Sequence, residues 1–162
     1  MPTSESLETK TVIHTFQDLT TRELYDILKV RAAVFVVEQN CPYQDLDDID
    51  LKSTHIVIYC GEEIVAYSRV FKDDSSLKDK AAKPSADLWH IGRVLTTQRN
   101  KHYGLQIMRS AIEVAERLGA EQIEIEAQCY AIPFYEKVGF KVSSDEFMLD
   151  GIPHKKMIMI NR

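Results

Sequence analysis

The chain has 162 residues, 44% of them hydrophobic and 28% charged, which suits one soluble globular domain spanning residues 1–162 and leaves little room for a second. A net charge of −5 excludes a duplex-binding protein, which needs clustered Lys and Arg, and suits a cationic or neutral substrate better than nucleic acid. Cys41, Cys60 and Cys129 are odd in number and lack a metal-type spacing, the start MPTSESLETK has no apolar signal core, and no run is long enough to span a membrane. A reducing, cytoplasmic setting is therefore expected.

Residues 1–10 are polar enough to be loose, and residues 11–16, TVIHTF, suit a first strand. Thr20 and Glu23 have capping-box spacing, and Leu24, Ile27, Leu28, Arg31, Val34 and Phe35 recur at helical spacing, which predicts a helix fading near Glu38. Residues 39–53 carry Pro42, Asp45, Asp47, Asp48 and Asp50 and read as an exposed acidic loop. His55 to Phe71 reads as a hairpin turning at Cys60, Gly61 and Glu62. Residues 72–86 are charged and read as a mobile loop, and a fourth strand is expected from Leu88 to Thr96.

From Tyr103 to Leu118 a helix is predicted, with Leu105, Met108, Ala111, Ile112, Ala115 and Leu118 as its apolar stripe and Gly119 as its cap. Residues 121–128 alternate as a half-buried strand does, and a short helix opens near Pro133 and closes at Gly139. Two strands follow, Phe140 to Leu149 and His154 to Ile160, separated by DGIP. The order implies a mixed α/β fold, mainly antiparallel, with a parallel pair around the long helix.

The segment GRVLTTQRNKHYG, residues 92–104, is the most informative. A strand there runs through a basic turn into a helix N-terminus, whose unpaired N–H groups and positive dipole end suit a phosphorylated cofactor.

Three blocks carry a resemblance to a known family. Arg99, Asn100, Lys101, His102, Tyr103 and Gly104 form the first, QCYAIPFYEKVGF from Gln128 to Phe140 the second, and RAAVFVVEQNCPYQDLD with DGIPHKKM the third. Together they resemble the GNAT superfamily of acyl-coenzyme A-dependent N-acyltransferases, in its small ElaA-like subgroup. The resemblance implies an α/β (α+β) fold with a mostly antiparallel sheet of about six or seven strands, splayed between strands four and five and flanked by about four helices. His102 departs from the pattern, standing where the first motif glycine is expected.

What the resemblance implies chemically is transfer of an acetyl group from acetyl-coenzyme A to a primary amine, on a small molecule or a peptide, with no metal. Val94 and Thr96 would offer main-chain groups to the pantetheine arm, with the Val94 N–H as oxyanion donor. Arg99 through Gly104 would hold the diphosphate, with Leu105 and Gln128 adding cofactor contacts, and Tyr135 occupies the proton-donor position. The substrate side would include Arg31, Phe35, His55 and His154. The general base stays open among Glu38, His90, His55, His154 and water. His90 qualifies because residues 90, 92 and 94 alternate onto one strand face. No histidine adjoins Cys129 to activate its thiol, so direct attack in a ternary complex is favoured over a covalent intermediate.

The acidic loop reads as solvated, with attraction of a polyamine, an amino sugar or a protein N-terminus as its functional alternative. It lacks the glycine and terminal glutamate of a calcium loop, so no metal site is expected. Two rival functions remain at this level: a catalytically silent acyl-coenzyme A sensor, and an interaction domain docking a basic protein through that loop. A monomer and a homodimer are both compatible with the sequence.

Overall fold

In the computed structural model, which describes residues 8–74, 87–99 and 101–161, eight strands form one sheet. β1 (Thr9–Thr15), β2 (Thr54–Cys60), β3 (Glu63–Lys72) and β4 (Leu88–Thr96) pair antiparallel in sequence order. β5 (Gln122–Gln128) joins β4 in parallel, and β8 (Ile152–Ile160) lies on the far side of β5, carrying the short strands β6 (Lys141–Val142) and β7 (Phe147–Leu149). Thr9 and Lys10, expected to be loose, are already paired with Cys60 and Tyr59 in β1. Residues 1–7, and residues 75–86 of the expected mobile loop, lie outside the described residues.

The expected strand from Phe140 to Leu149 is two strands. The Ser144 hydroxyl accepts from Lys156 N–H at 2.8 Å, taking the place of a ladder carbonyl and breaking the segment. Asp150 and Gly151, both at positive φ (52° and 76°), make the tight two-residue turn that starts β8 at Ile152 rather than His154.

α1 (Thr21–Arg31) opens on the capping box: Glu23 N–H donates to Thr20 Oγ1 at 3.0 Å, and Thr20 N–H to Glu23 Oε1 at 2.9 Å. It continues through Ala32–Glu38 as a wider π-helical turn, with Gln39 N–H bonded to Val34 O and Cys41 N–H to Val36 O. α2 (Tyr103–Arg117) and α3 (Ile132–Val138) cover the opposite face of the sheet. The buried stripe of α2 is Ile107, Met108, Ala111, Val114 and Ala115, rotated from the expected one. Leu105 and Ile112 turn toward α3, and Leu118 is exposed, because the helix lies on β3 and β4 while α3 closes only its flank.

Two apolar clusters sandwich the sheet. The larger joins α2 and α3 to Ile56, Ala66, Val70, Ile91, Ile123 and Met157; the smaller joins Ile27 of α1 to Val57, Tyr67 and Leu95. Period-two alternation along β2 and β3 separates these sets onto opposite faces.

Candidate active site

β4 and β5 pair only at Leu88–Gln122, Trp89–Ile123 and His90–Glu124, and then part. Two features of the neighbouring strands accompany the parting. β5 stays bonded to β8 over its whole length, while β4 bulges: Tyr67 faces Leu95 and Arg69 faces Gly92, so Arg93 and Val94 together oppose Ser68. Arg93 sits at φ 51°, in the left-handed region, as the bulge requires. One consequence corrects the simple alternation expected along this strand. His90 stacks on Phe71 on one face, whereas the Val94 side chain packs with the α2 cluster on the other.

The parted strands open a cleft of about 1140 Å³. Its walls include His90, Val94, Gln128, Tyr135 and His154, with Phe35 from the middle of the α1 extension. The Tyr135 ring packs edge-on against Phe134 (5.2 Å) and Phe140 (6.3 Å), and burial, with the nearby Tyr130, pushes its phenol up to about 12. It therefore keeps its proton throughout the neutral range. His90 Nε2 lies 2.9 Å from Asp73 Oδ1, and Glu124 flanks the other ring nitrogen at 4.0 Å. Because a carboxylate only accepts, Nε2 carries the hydrogen and Nδ1 is the basic nitrogen. His154 is fixed in the opposite sense, its Nδ1 donating to Ile152 O at 2.7 Å, with its ring stacked on Phe147. Gln128 Nε2 donates to Gln39 Oε1 at 3.3 Å and ties the end of β5 to the chain leaving α1.

Past the cleft, β4 ends at Thr96 and the chain turns through Arg99 and Lys101 into α2; Asn100 lies outside the described residues. Gln106 N–H takes His102 O at 3.1 Å, so the amides of Tyr103, Gly104 and Leu105 precede the first bond inside the helix. The Leu105 side chain itself lies in a hollow against α3, which leaves only its amide for a diphosphate. His102 has φ 60°, the conformation glycine adopts most readily, and this accounts for the motif position it fills. A methyl group on Gly104 would stand 3.5 Å from Phe134 Cζ and 3.9 Å from Thr96 Cγ2, ordinary contacts. The chain's own packing does not demand glycine there.

Three expected site residues fall elsewhere. Glu38 is exposed and faces Arg99 Nη2 at 3.8 Å, outside the cleft. Arg31 is fully buried, its guanidinium spent on Asp45 and Asp50 and lying 5.9 Å from the Tyr67 ring centre. His55 is also buried, with Nδ1 2.7 Å from Tyr67 Oη and Nε2 2.9 Å from Asp50 O. The carbonyl can only accept, so Nε2 donates to it and Nδ1 accepts from the phenol, leaving no nitrogen for substrate.

The loop expected to be exposed and acidic is instead clamped onto the sheet by a closed ring of alternating charge. Arg31 Nη1 bonds Asp50 Oδ1 (2.6 Å), which accepts from Arg69 Nη1 (2.9 Å). Arg69 grips both oxygens of Asp47 (2.8 and 2.6 Å), and Asp47 Oδ2 reaches Arg93 Nη2 (3.4 Å). Arg93 Nε bonds Asp45 Oδ1 (2.8 Å), and Asp45 Oδ2 returns to Arg31 Nε (3.0 Å). Burial works against Asp47 and Asp50, but their arginines outweigh it and hold both carboxyls below the ordinary range. Sequence reasoning missed Arg69 and Arg93 as partners. The available signal was three arginines embedded in apolar stretches, facing three aspartates in one loop.

Burial holds His55 below its usual pKa, so its stabilising contribution is complete above about pH 6.5 and is lost as pH falls below that value. Urea titrations between pH 8 and 5 are expected to show falling stability for the native chain and a flatter profile for His55→Gln. Equal slopes would defeat this reading. The part due to Asp47 and Asp50 disappears only below about pH 4.

A sheet parted beside a glycine-bearing helix N-terminus is the architecture of the acyl-coenzyme A N-acyltransferases. A sequence model of the acetyltransferase (GNAT) domain matches residues 18–161, and the chain belongs to that family. Protein ElaA of Escherichia coli is 36% identical over 142 residues, 85% of this chain and 87% of ElaA. The ElaA crystal structure superposes with a TM-score of 0.82 at 32% identity, covering 93% of this chain and 99% of that one. An acyl-CoA N-acyltransferase from Pseudomonas aeruginosa gives 0.78 at 31% identity, covering 92% and 98%. The chain is thus an ElaA-like transferase of the acyl-coenzyme A-using class. Among the described residues no helix is long and apolar enough to cross a membrane.

Proposed function

We propose that the chain is an N-acetyltransferase that moves an acetyl group to a primary amine by direct attack in a ternary complex. The observation carrying this reading is the convergence of His90, Val94 and Tyr135 on the one cleft opened by the parting of β4 and β5. Acetyl-coenzyme A supplies the acyl group as a thioester. The amides of Tyr103, Gly104 and Leu105, with Arg99 and Lys101 beside them, form the diphosphate seat, with Asn100 as an added contact by motif position. The Val94 N–H donates to the carbonyl oxygen as charge gathers there, the neutral amine attacks the carbonyl carbon, His90 Nδ1 takes the N–H proton lost as the C–N bond forms, and Tyr135 Oη gives its proton to the sulfur as the C–S bond breaks. His154 and Phe35 shape the acceptor side.

The Cys129 thiol, held up by partial burial and by Glu146 at 3.5 Å, supports direct attack over a covalent relay. Cys41, Cys60 and Cys129 form no disulfide among the described residues, which suits a reducing, cytoplasmic setting.

Thermal unfolding with acetyl-coenzyme A, followed by thiol release over an amine panel, tests the reading. Ligand at 100 times its dissociation constant should stabilise by about 2.7 kcal/mol. No shift would refute it, and a shift without turnover on any amine would favour the sensor. Gly104→Ala separates binding from folding. It is expected to stabilise the free chain by about 0.5 kcal/mol, since glycine is a poor helix residue, yet to weaken cofactor binding by about 1–3 kcal/mol through overpacking. Unchanged affinity would place the diphosphate elsewhere.

A further inference from the structure

The charge ring ends at the bulge. Arg93 holds a left-handed backbone inside a strand, a conformation unfavourable for a residue without the short polar side chain of Asn or Asp. What keeps it there is grip on its guanidinium: Nε on Asp45 Oδ1 at 2.8 Å, Nη2 on Asp45 O at 2.9 Å, and Nη2 on Asp47 Oδ2 at 3.4 Å. Asp45 and Asp47 are in turn anchored by Arg31 and Arg69, which are 0% and 2% exposed. Arg31 also donates through Nη2 to Asp45 O at 3.2 Å, so two guanidiniums converge on one carbonyl of the loop. The residue following Arg93 is Val94, whose peptide plane is set by the Arg93 backbone.

We propose that the ring is a positioning device for acyl transfer, in which Arg31 and Asp45 act through Arg93 to lock the bulge and aim the Val94 N–H into the cleft. Arg31 and Asp45 are then positioning residues, whose effect on turnover passes through Arg93 although Asp45 itself borders the cleft. The closed form of the ring matters, because losing the Asp45 carboxylate weakens the grip on Arg93 Nε and leaves Arg93 on the Asp45 carbonyl and the longer Asp47 contact, while Asp50 still holds Arg31 and Arg69. The inference rests on the acyl-transfer reading for its kinetic arm only.

The test is Asp45→Asn, Arg93→Gly and the double variant, with kinetics on the wild-type amine substrate and backbone carbon chemical shifts at position 93. Glycine reaches the left-handed conformation without a ring to hold it. Asp45→Asn is expected to lower kcat by about 10²-fold, the scale of one misplaced oxyanion donor, while KM for acetyl-coenzyme A moves less than about threefold. Adding Arg93→Gly should return kcat to the level of Arg93→Gly alone, and the Arg93 shifts in Asp45→Asn should leave their left-handed values. Should Asp45→Asn melt below assay temperature, Arg31→Lys keeps the charge and loses the fork, and is expected to lose kcat by about tenfold with the same glycine rescue. A kcat loss that glycine does not rescue, or an unchanged kcat, overturns the proposal. If the wild type turns over no amine, the acyl-transfer reading falls, and the Arg93 shifts alone decide the ring: retention of left-handed values in Asp45→Asn overturns it.

Discussion

Asp50→Ala is expected to destabilise the chain by about 3–5 kcal/mol, the range for removing one partner from a buried ionic network. Asp50 Oδ1 is shared by Arg31 at 2.6 Å and Arg69 at 2.9 Å, and both guanidiniums are buried. Alanine keeps the backbone carbonyl that accepts from His55, so the loss isolates the carboxylate. It leaves three arginines facing two aspartates, with Arg31 and Arg69 still buried. Against a typical total of about 5–15 kcal/mol, such a loss removes about a fifth or more of the stability. Urea unfolding at pH 7 measures it, and a loss under about 1 kcal/mol would mean that the ring is solvated in solution. Asp26→Ala supplies the contrast, since its pair with Arg22 is an exposed helix-face contact expected to contribute about 0.3–0.5 kcal/mol.

Tyr135→Phe carries the largest expected effect on turnover, a loss in kcat of about 10²–10⁴-fold with cofactor affinity nearly unchanged. The phenol makes no hydrogen bond to the described protein, and phenylalanine keeps the packing against Phe134 and Phe140, so stability should move little. Because burial pushes the phenol up to about 12, Tyr135 remains a donor across the assay range and contributes no alkaline limb to the pH profile below that value. Single-turnover rates and equilibrium binding of acetyl-coenzyme A separate the two quantities. A variant within about threefold of wild type would remove Tyr135 from the reaction, and a His90→Gln variant equally active would do the same for the base.

Much of the scaffold was legible because it is built from local periodicity. The capping box at Thr20 and Glu23, the hairpin turn after Cys60, the span Leu88–Thr96 and the helix opening at Tyr103 all rest on residues a few positions apart. The α2 stripe was misplaced by part of a turn, since which face is buried depends on where α3 sits. The roles proposed for Tyr135 and for the amides of Tyr103, Gly104 and Leu105 come from motif position.

The amino-acid sequence by itself determined the order of elements, the acyl-transferase family and the N-terminus of α2, because each is encoded in spacings shorter than a helix turn or in contiguous motifs. Tertiary structure alone decided that the acidic loop is clamped, that Arg31 and His55 are buried supports, and that His90 stands between two carboxylates. Those outcomes depend on pairs separated by 5 to 48 positions. A carboxylate in a loop carries no mark of whether it will meet water or a buried guanidinium, and only the folded sheet, by bringing Arg69 and Arg93 beneath residues 45–50, settles which.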